Sequence, residues 1–137
     1  MQIGTKSSGV FLFDTVEMLG GFQSLLDAGL KRVLDGPSVK FIHDCRMVVA
    51  ALFLASKETQ QLVKNVIDTQ IMFGLLNPDE NQVGLPRLLK AYGGIGSSGH
   101  PGKQFATHDW NARPLSKEAL EYAAADVKLL FPAAQEI

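Results

Sequence analysis

Short runs of β-branched and aromatic residues alternate along this chain with apolar residues at helical spacing, and that alternation limits the fold more than any other feature. Gly9-Val10-Phe11-Leu12-Phe13 is short and aromatic, and Thr5-Lys6-Ser7-Ser8 before it is turn material after Met1-Gln2-Ile3-Gly4, so residues 2–14 predict a hairpin. Phe22, Leu25, Leu26, Leu30, Val33 and Leu34 then recur on one helix face until Gly36-Pro37 ends the pattern. Residues 39–43 read as a strand, 47–56 as a helix, 65–68 as a brief buried strand, and 69–76 as a helix closed by Asn77-Pro78. A further helix is predicted over 85–92, and the last over 116–130, with Ser116 as N-cap and Pro132 beyond its end. The order predicts an α/β fold, a mixed sheet with helices packed on it.

Composition narrows the class. A chain of 137 residues, 46% hydrophobic and 20% charged, has the profile of one globular domain, expected over 1–137. With a formal net charge of -1 there is no bulk basic field, so nucleic-acid binding would need a local patch or metal ions bridging to phosphate. Cys45 is the single cysteine and has no disulfide partner within the chain. The start MQIGTKSSG lacks the charged and apolar regions of a signal peptide, so an intracellular protein is expected. The longest apolar run, residues 47–55, is about half of the ~20 residues that cross a bilayer, so no membrane contact is expected.

Two stretches draw the eye for chemistry. His43-Asp44-Cys45-Arg46 lies where a strand hands over to a helix, the place where α/β folds keep ligands. The structural reading is that His43 and Asp44 cap the helix that follows. Gly94-Ile95-Gly96-Ser97-Ser98-Gly99 matches a dinucleotide fingerprint in letters only, because it follows a helix and runs into Pro101 and Gly102, where the fingerprint must follow a strand and open a helix. His100 and His108 have no partner at a metal-ligand spacing and read as solvated loop histidines.

On the last helix, Tyr122 and Asp126 are four residues apart and project from one face, with three alanines between them leaving room for a ligand. A phenol and a carboxylate so placed can hold a water between them.

In order along the chain, VFLFD, LKRVLDGPSVKFIHDCR, VIDTQIMFGLL, GLPRLLKAYGG and WNARPLSKEALEYAAADVKLL closely resemble the 3'-5' exonuclease domain of the ribonuclease D type. The most specific segments are Arg113-Pro114-Leu115 leading to Tyr122-Ala123-Ala124-Ala125-Asp126, and His43-Asp44-Cys45-Arg46 followed by Asp68-Thr69-Gln70. The His-Asp-Cys-Arg form is similar to the egalitarian-like and piRNA-associated branch. The resemblance implies a ribonuclease H-like mixed sheet flanked by helices and a site of four acids holding two Mg²⁺ or Mn²⁺ ions, about 4 Å apart, on the scissile phosphate. It implies nucleic acid as the partner, RNA before DNA.

Carried over by residue, Asp126 is the fourth metal-binding acid, Tyr122 the phenol that positions water, and His43 and Arg113 are substrate contacts. The third acid belongs five residues after His43, where Val48 stands. The family's Asp-x-Glu pair belongs on a first, central strand that would precede Met1, and Glu17 matches no family motif. Asp44 is a conceivable substitute acid but would point in another direction. Three readings stay open: an exonuclease whose missing acids come from elsewhere, a non-catalytic RNA-binding or protein-docking module, and a shortened product of such a protein. Without the central strand, Ile3 and residues 39–42 are expected to be apart or poorly paired, favouring self-association through strand edges. The alternative is a smaller continuous sheet around Phe11, Phe13, Phe41, Ile42, Val66 and Ile67.

Overall fold

The computed structural model describes residues 1–80, 82–93, 105 and 107–137, and the chain falls into two compact units, Met1–Phe13 with Val83–Ile137, and Asp14–Gln82. In the first unit, β1 (Gln2–Thr5) and β2 (Gly9–Leu12) form the expected antiparallel hairpin, with Ile3 opposite Phe11 and Gly4 opposite Val10. Thr5 Oγ1 accepts from the Ser8 backbone N–H at 2.9 Å, and Gly9 supplies the positive φ of 89° that the turn needs.

Helices α5 (Leu85–Tyr92), α6 (Lys117–Lys128) and α7 (Leu130–Glu136) complete this unit. Their meeting faces bury Leu88 and Leu89 of α5, Ala119 of α6, and Leu130, Ala133 and Ala134 of α7. Helix α6 lies close on the hairpin: a Cβ at Gly4 would stand 3.1 Å from the Val127 carbonyl oxygen, so the absence of a side chain there lets the two backbones approach. Ser116 caps α6 as its sequence predicts, its Oγ accepting from the Ala119 N–H at 3.1 Å. Next to it, backbone and Ser116 hydrogen bonds hold the Glu118 carboxyl below the usual glutamate range.

The predicted stop at Pro132 is corrected. The chain turns at Leu129 and α7 resumes at Leu130, placing Pro132 in a first turn, where a missing N–H breaks no helical hydrogen bond.

In the second unit, β3 (Lys40–Ile42) runs parallel to β4 (Val66–Asp68), with Phe41 opposite Ile67. Among the described residues four strands thus make two small two-stranded sheets, β1 with β2 and β3 with β4, and not the continuous sheet expected around Phe11 and Phe41. Phe11 is 44% exposed and the β3 and β4 residues are half-buried; the fully buried side chains lie mainly on helices.

The single helix expected over 22–34 is also corrected, to α1 (Gly21–Leu25) and α2 (Lys31–Asp35) joined by a wide π-type turn over Leu26–Leu30. Gly29 sits there at φ 126°, a conformation L side chains rarely adopt. Leu25, Leu26, Leu30 and Leu34 are nevertheless all buried, so the apolar spacing survives the interruption. Helices α3 (Cys45–Ala55) and α4 (Thr69–Leu76) follow β3 and β4, and α4 contributes Thr69 and Phe73 to the core. Lys40 is structural: its Nζ donates to the carbonyls of Gly36, Ser38 and Lys64 at 3.0, 2.9 and 2.8 Å. Among the described residues no helix is long and apolar enough to cross a membrane.

Candidate functional site

Helix α6 presents Tyr122, Ala123 and Asp126 to a shallow cavity of about 380 Å³, completed by Gln2 of β1 and by Phe105 and Trp110. The predicted pair therefore does share a face that opens on a cavity. Burial pushes the Tyr122 phenol above its ordinary pKa, and the Asp126 carboxylate adds to the shift. At neutral pH the phenol is protonated and can donate.

Around the pair stands a cluster of rings that sequence reasoning missed. Phe105 lies 5.1 Å from Tyr122 between centroids, tilted by 34°, and Trp110 lies 6.0 Å from Tyr122, tilted by 37°. His108 meets Phe105 and Trp110 edge-on, at 5.5 and 4.9 Å. Its Nε2 is buried and has no hydrogen-bond partner among the described residues, which corrects the reading of His108 as a solvated loop histidine. His100 and the 94–99 glycine pattern lie outside the described residues.

A turn over residues 109–113 sets the position of Trp110. Asp109 Oδ1 accepts from the Asn111 N–H at 3.0 Å, and the Asp109 carbonyl accepts from the Ala112 N–H at 3.1 Å. Arg113 Nη1 then donates to the carbonyls of Trp110 and Ala112 at 2.9 and 2.8 Å. Arg113, expected to contact substrate, thus folds back on its own turn beside the cavity. The signal available in the sequence was three rings within residues 105–110, followed by an Asp-x-Asn turn.

In the other unit the His-Asp-Cys-Arg and Asp-Thr-Gln segments meet. His43 Nδ1 lies 3.1 Å from Thr69 Oγ1. Asp68 spans two helix starts: Oδ1 accepts from the Gln70 N–H of α4 at 2.8 Å, and Oδ2 accepts from the Cys45 N–H of α3 at 2.7 Å. Asp44 takes the left-handed conformation at the α3 N-cap, φ 54°, with a long 3.4 Å bond from the Met47 N–H to its carboxylate. Helix α3 therefore starts two residues earlier than predicted. Burial, then Asp68 and Asp44, push the Cys45 thiol up, so it stays protonated at neutral pH. Val48 is on α3 and 37% exposed. Glu17 is exposed on a turn whose N–H groups, at Val16 and Glu17, donate to Asp14 Oδ1.

A sequence model described as 3'-5' exonuclease matches residues 1–137. This chain belongs to the 3'-5' exonuclease family. It is 32% identical over 130 residues to exosome complex component 10 of Homo sapiens and of Rattus norvegicus, which covers 95% of this chain and 13% of each relative. It is 32% identical over 116 residues to ribonuclease D of Granulibacter bethesdensis (strain ATCC BAA-1260 / CGDNIH1), covering 83% of this chain and 27% of that protein. The chain thus spans about an eighth to a quarter of the length of these curated relatives. No solved structure matches.

The family's metal centre needs several carboxylates because hard divalent cations take oxygen ligands and their charge must be offset. The cavity offers one, Asp126, and among the described residues no three His, Cys, Asp or Glu side chains gather as a metal-binding group. The residues present do not fit a two-metal centre.

Proposed function

We propose that this chain seats the 3' end of a single-stranded nucleic acid, RNA before DNA, at the Tyr122–Asp126 cavity, and that these 137 residues do not cleave it at a rate typical of the family. Membership of the 3'-5' exonuclease family supports nucleic acid as the ligand. The names of the relatives, a ribonuclease and a component of the exosome complex, support RNA. The protonated Tyr122 hydroxyl and the Asp126 carboxylate, one helical turn apart, are a donor and an acceptor for a terminal ribose hydroxyl or for a water beside it.

The observation that carries the loss of cleavage is Val48. It occupies the position where the ribonuclease D pattern has its third acid, five residues after His43, and an isopropyl group has no lone pair to give a metal. Within these residues no Asp-x-Glu pair occurs either. Asp126 alone would set one negative charge against two divalent cations. Binding is expected to be weak and salt-sensitive, because a net charge of -1 supplies no long-range attraction to phosphate.

The test is incubation of the purified chain with Mg²⁺ or Mn²⁺ and 3'-labelled single-stranded RNA or DNA. Release of mononucleotides no faster than by a Tyr122→Phe, Asp126→Ala double variant is expected. Metal-dependent laddering that the double variant abolishes would overturn the proposal.

A second reading, a module that associates with another copy of itself, is favoured by the apolar residues left open on α3 and α4. Met47 is 60%, Leu54 85% and Leu75 76% exposed. Light scattering across a wide concentration range tests it: a growing mass supports self-association, and a constant monomer mass removes it.

A further inference from the structure

We propose that the outer edge of β2 pairs with the same edge of a second copy of this chain, joining two hairpins into one antiparallel four-stranded sheet. The inference depends neither on the Tyr122–Asp126 cavity nor on the apolar residues of α3 and α4.

The ladder of the hairpin decides which backbone groups face outward. Met1 and Phe13 exchange two bonds: the Phe13 N–H donates to the Met1 carbonyl at 2.8 Å, and the Met1 amine donates to the Phe13 carbonyl at 2.7 Å. Bonded pairs recur at every second position of an antiparallel ladder, so Ile3 with Phe11 and Thr5 with Gly9 are the next two. The N–H and C=O groups of Val10 and Leu12 therefore point away from β1, and among the described residues no third strand meets them. Strand edges are normally blunted by lysine, proline or a bulge. Gly9-Val10-Phe11-Leu12-Phe13 holds no charge and no proline, its register with β1 is unbroken, and Phe11 and Leu12 are exposed. The edge of β1 is the weaker candidate, since one of its two outward residues is Gly4, a poor strand former.

The occupant is a second copy because the edge is complementary to itself. A twofold axis through Phe11 sets Val10 opposite Leu12 of the second copy, and the reverse, which makes four N–H to C=O bonds. Gly4 and its neighbour Val10 face α6, so by alternation the two Phe11 rings lie side by side on the other face. With no charge on the edge there is nothing to select a foreign sequence, whereas this chain always brings a matching strand. Helix α6 packs on both strands of the hairpin. A helix is about 10 Å across and two strands span about 10 Å, so both copies of α6 fit side by side on the joined sheet. Four-residue strands bury less than the roughly 1,200 Å² of a standard interface, so the pairing is weak and reversible.

The experiment places a single thiol at the axis: Phe11→Cys in the full chain carrying Cys45→Ser, under mild oxidation, with Leu19→Cys in the same background as an exposed reference. Opposite residues at a non-bonded position stand about 4.5 Å apart between Cα atoms, inside the disulfide range of about 4.4–6.8 Å. Covalent dimer is expected to form faster from Phe11→Cys than from the reference, whose thiols meet only by random collision. Sedimentation equilibrium of the native chain is expected to show a mass rising towards that of two chains by about 1 mM. Val10→Pro removes two of the four bonds and leaves the ladder with β1 intact, because the Val10 N–H faces outward; it should weaken the association about 5- to 150-fold. Should that variant fail to fold, the crosslinking rates decide alone. Covalent dimer forming no faster from Phe11→Cys than from the reference, even where the mass shows association, would overturn the proposal, and so would a mass that stays at one chain up to about 1 mM.

Discussion

Replacing Asp68 by alanine should destabilise this protein more than any other single truncation at the junction of its two most specific sequence segments. Asp68 satisfies two helix N-termini with one carboxylate, the Gln70 N–H at 2.8 Å and the Cys45 N–H at 2.7 Å. Loss of an N-cap costs about 0.5–2 kcal/mol. A hydrogen bond from a partly buried N–H to a charged acceptor is worth about 1.5–3 kcal/mol. Because one group makes both bonds the losses overlap, and about 2–4 kcal/mol is expected for Asp68→Ala. Asp68→Asn keeps one acceptor oxygen and turns an NH₂ towards the other N–H, so about half of that loss is expected. Urea unfolding followed by far-ultraviolet circular dichroism reads the effect: with a slope of about 2 kcal/mol per M, the alanine midpoint should fall by roughly 1–2 M. An alanine midpoint within about 0.3 M of the native chain would refute the double cap as a source of stability.

Three further outcomes are expected. Tyr122 should ionise above the ordinary tyrosine range, and Asp126→Asn should lower its midpoint only in part, because burial is the larger cause; phenolate absorbance against Tyr122→Phe checks both. Since the fold raises this pKa, its contribution to stability is intact below the ordinary tyrosine value and is lost as pH rises through the folded value, so Tyr122 should lower unfolding midpoints in the alkaline range alone. Arg113→Ala should weaken oligonucleotide binding while leaving its salt slope unchanged, because the guanidinium donates to the Trp110 and Ala112 carbonyls; a slope reduced by about 0.7 would make Arg113 a phosphate contact instead. Val48→Asp, at an exposed position in the first turn of α3, should leave stability within about 0.5 kcal/mol and should not by itself produce RNA cleavage, since these residues still lack an Asp-x-Glu pair; mononucleotide release by that variant would contradict the count of acids.

Much of the architecture was legible because it is written locally. The hairpin, both short strands, α4, α5 and the Ser116 cap follow from side-chain period and turn residues within a few positions of one another. Tyr122 and Asp126 were legible as a pair for the same reason, being one helical turn apart. The interruption at Gly29 was hidden because the leucines on either side keep their spacing, and α7 was hidden because Pro132 reads as a terminator unless the start of a new helix is known. Two features depend on contacts distant in sequence and carry no period at all. Asp68 reaches Cys45 across 23 residues, and Phe105 and Trp110 come to Tyr122 only through the folded turn and the placement of α6.

Native mass spectrometry of the chain mixed with a single-stranded RNA oligonucleotide and Mn²⁺ tests the central claim most directly, because one spectrum reports both whether the RNA is held and whether it is cut. The account predicts a complex whose RNA keeps its full-length mass through a long incubation. A series of products shortened by successive single nucleotides, or the absence of any complex with RNA, would contradict it.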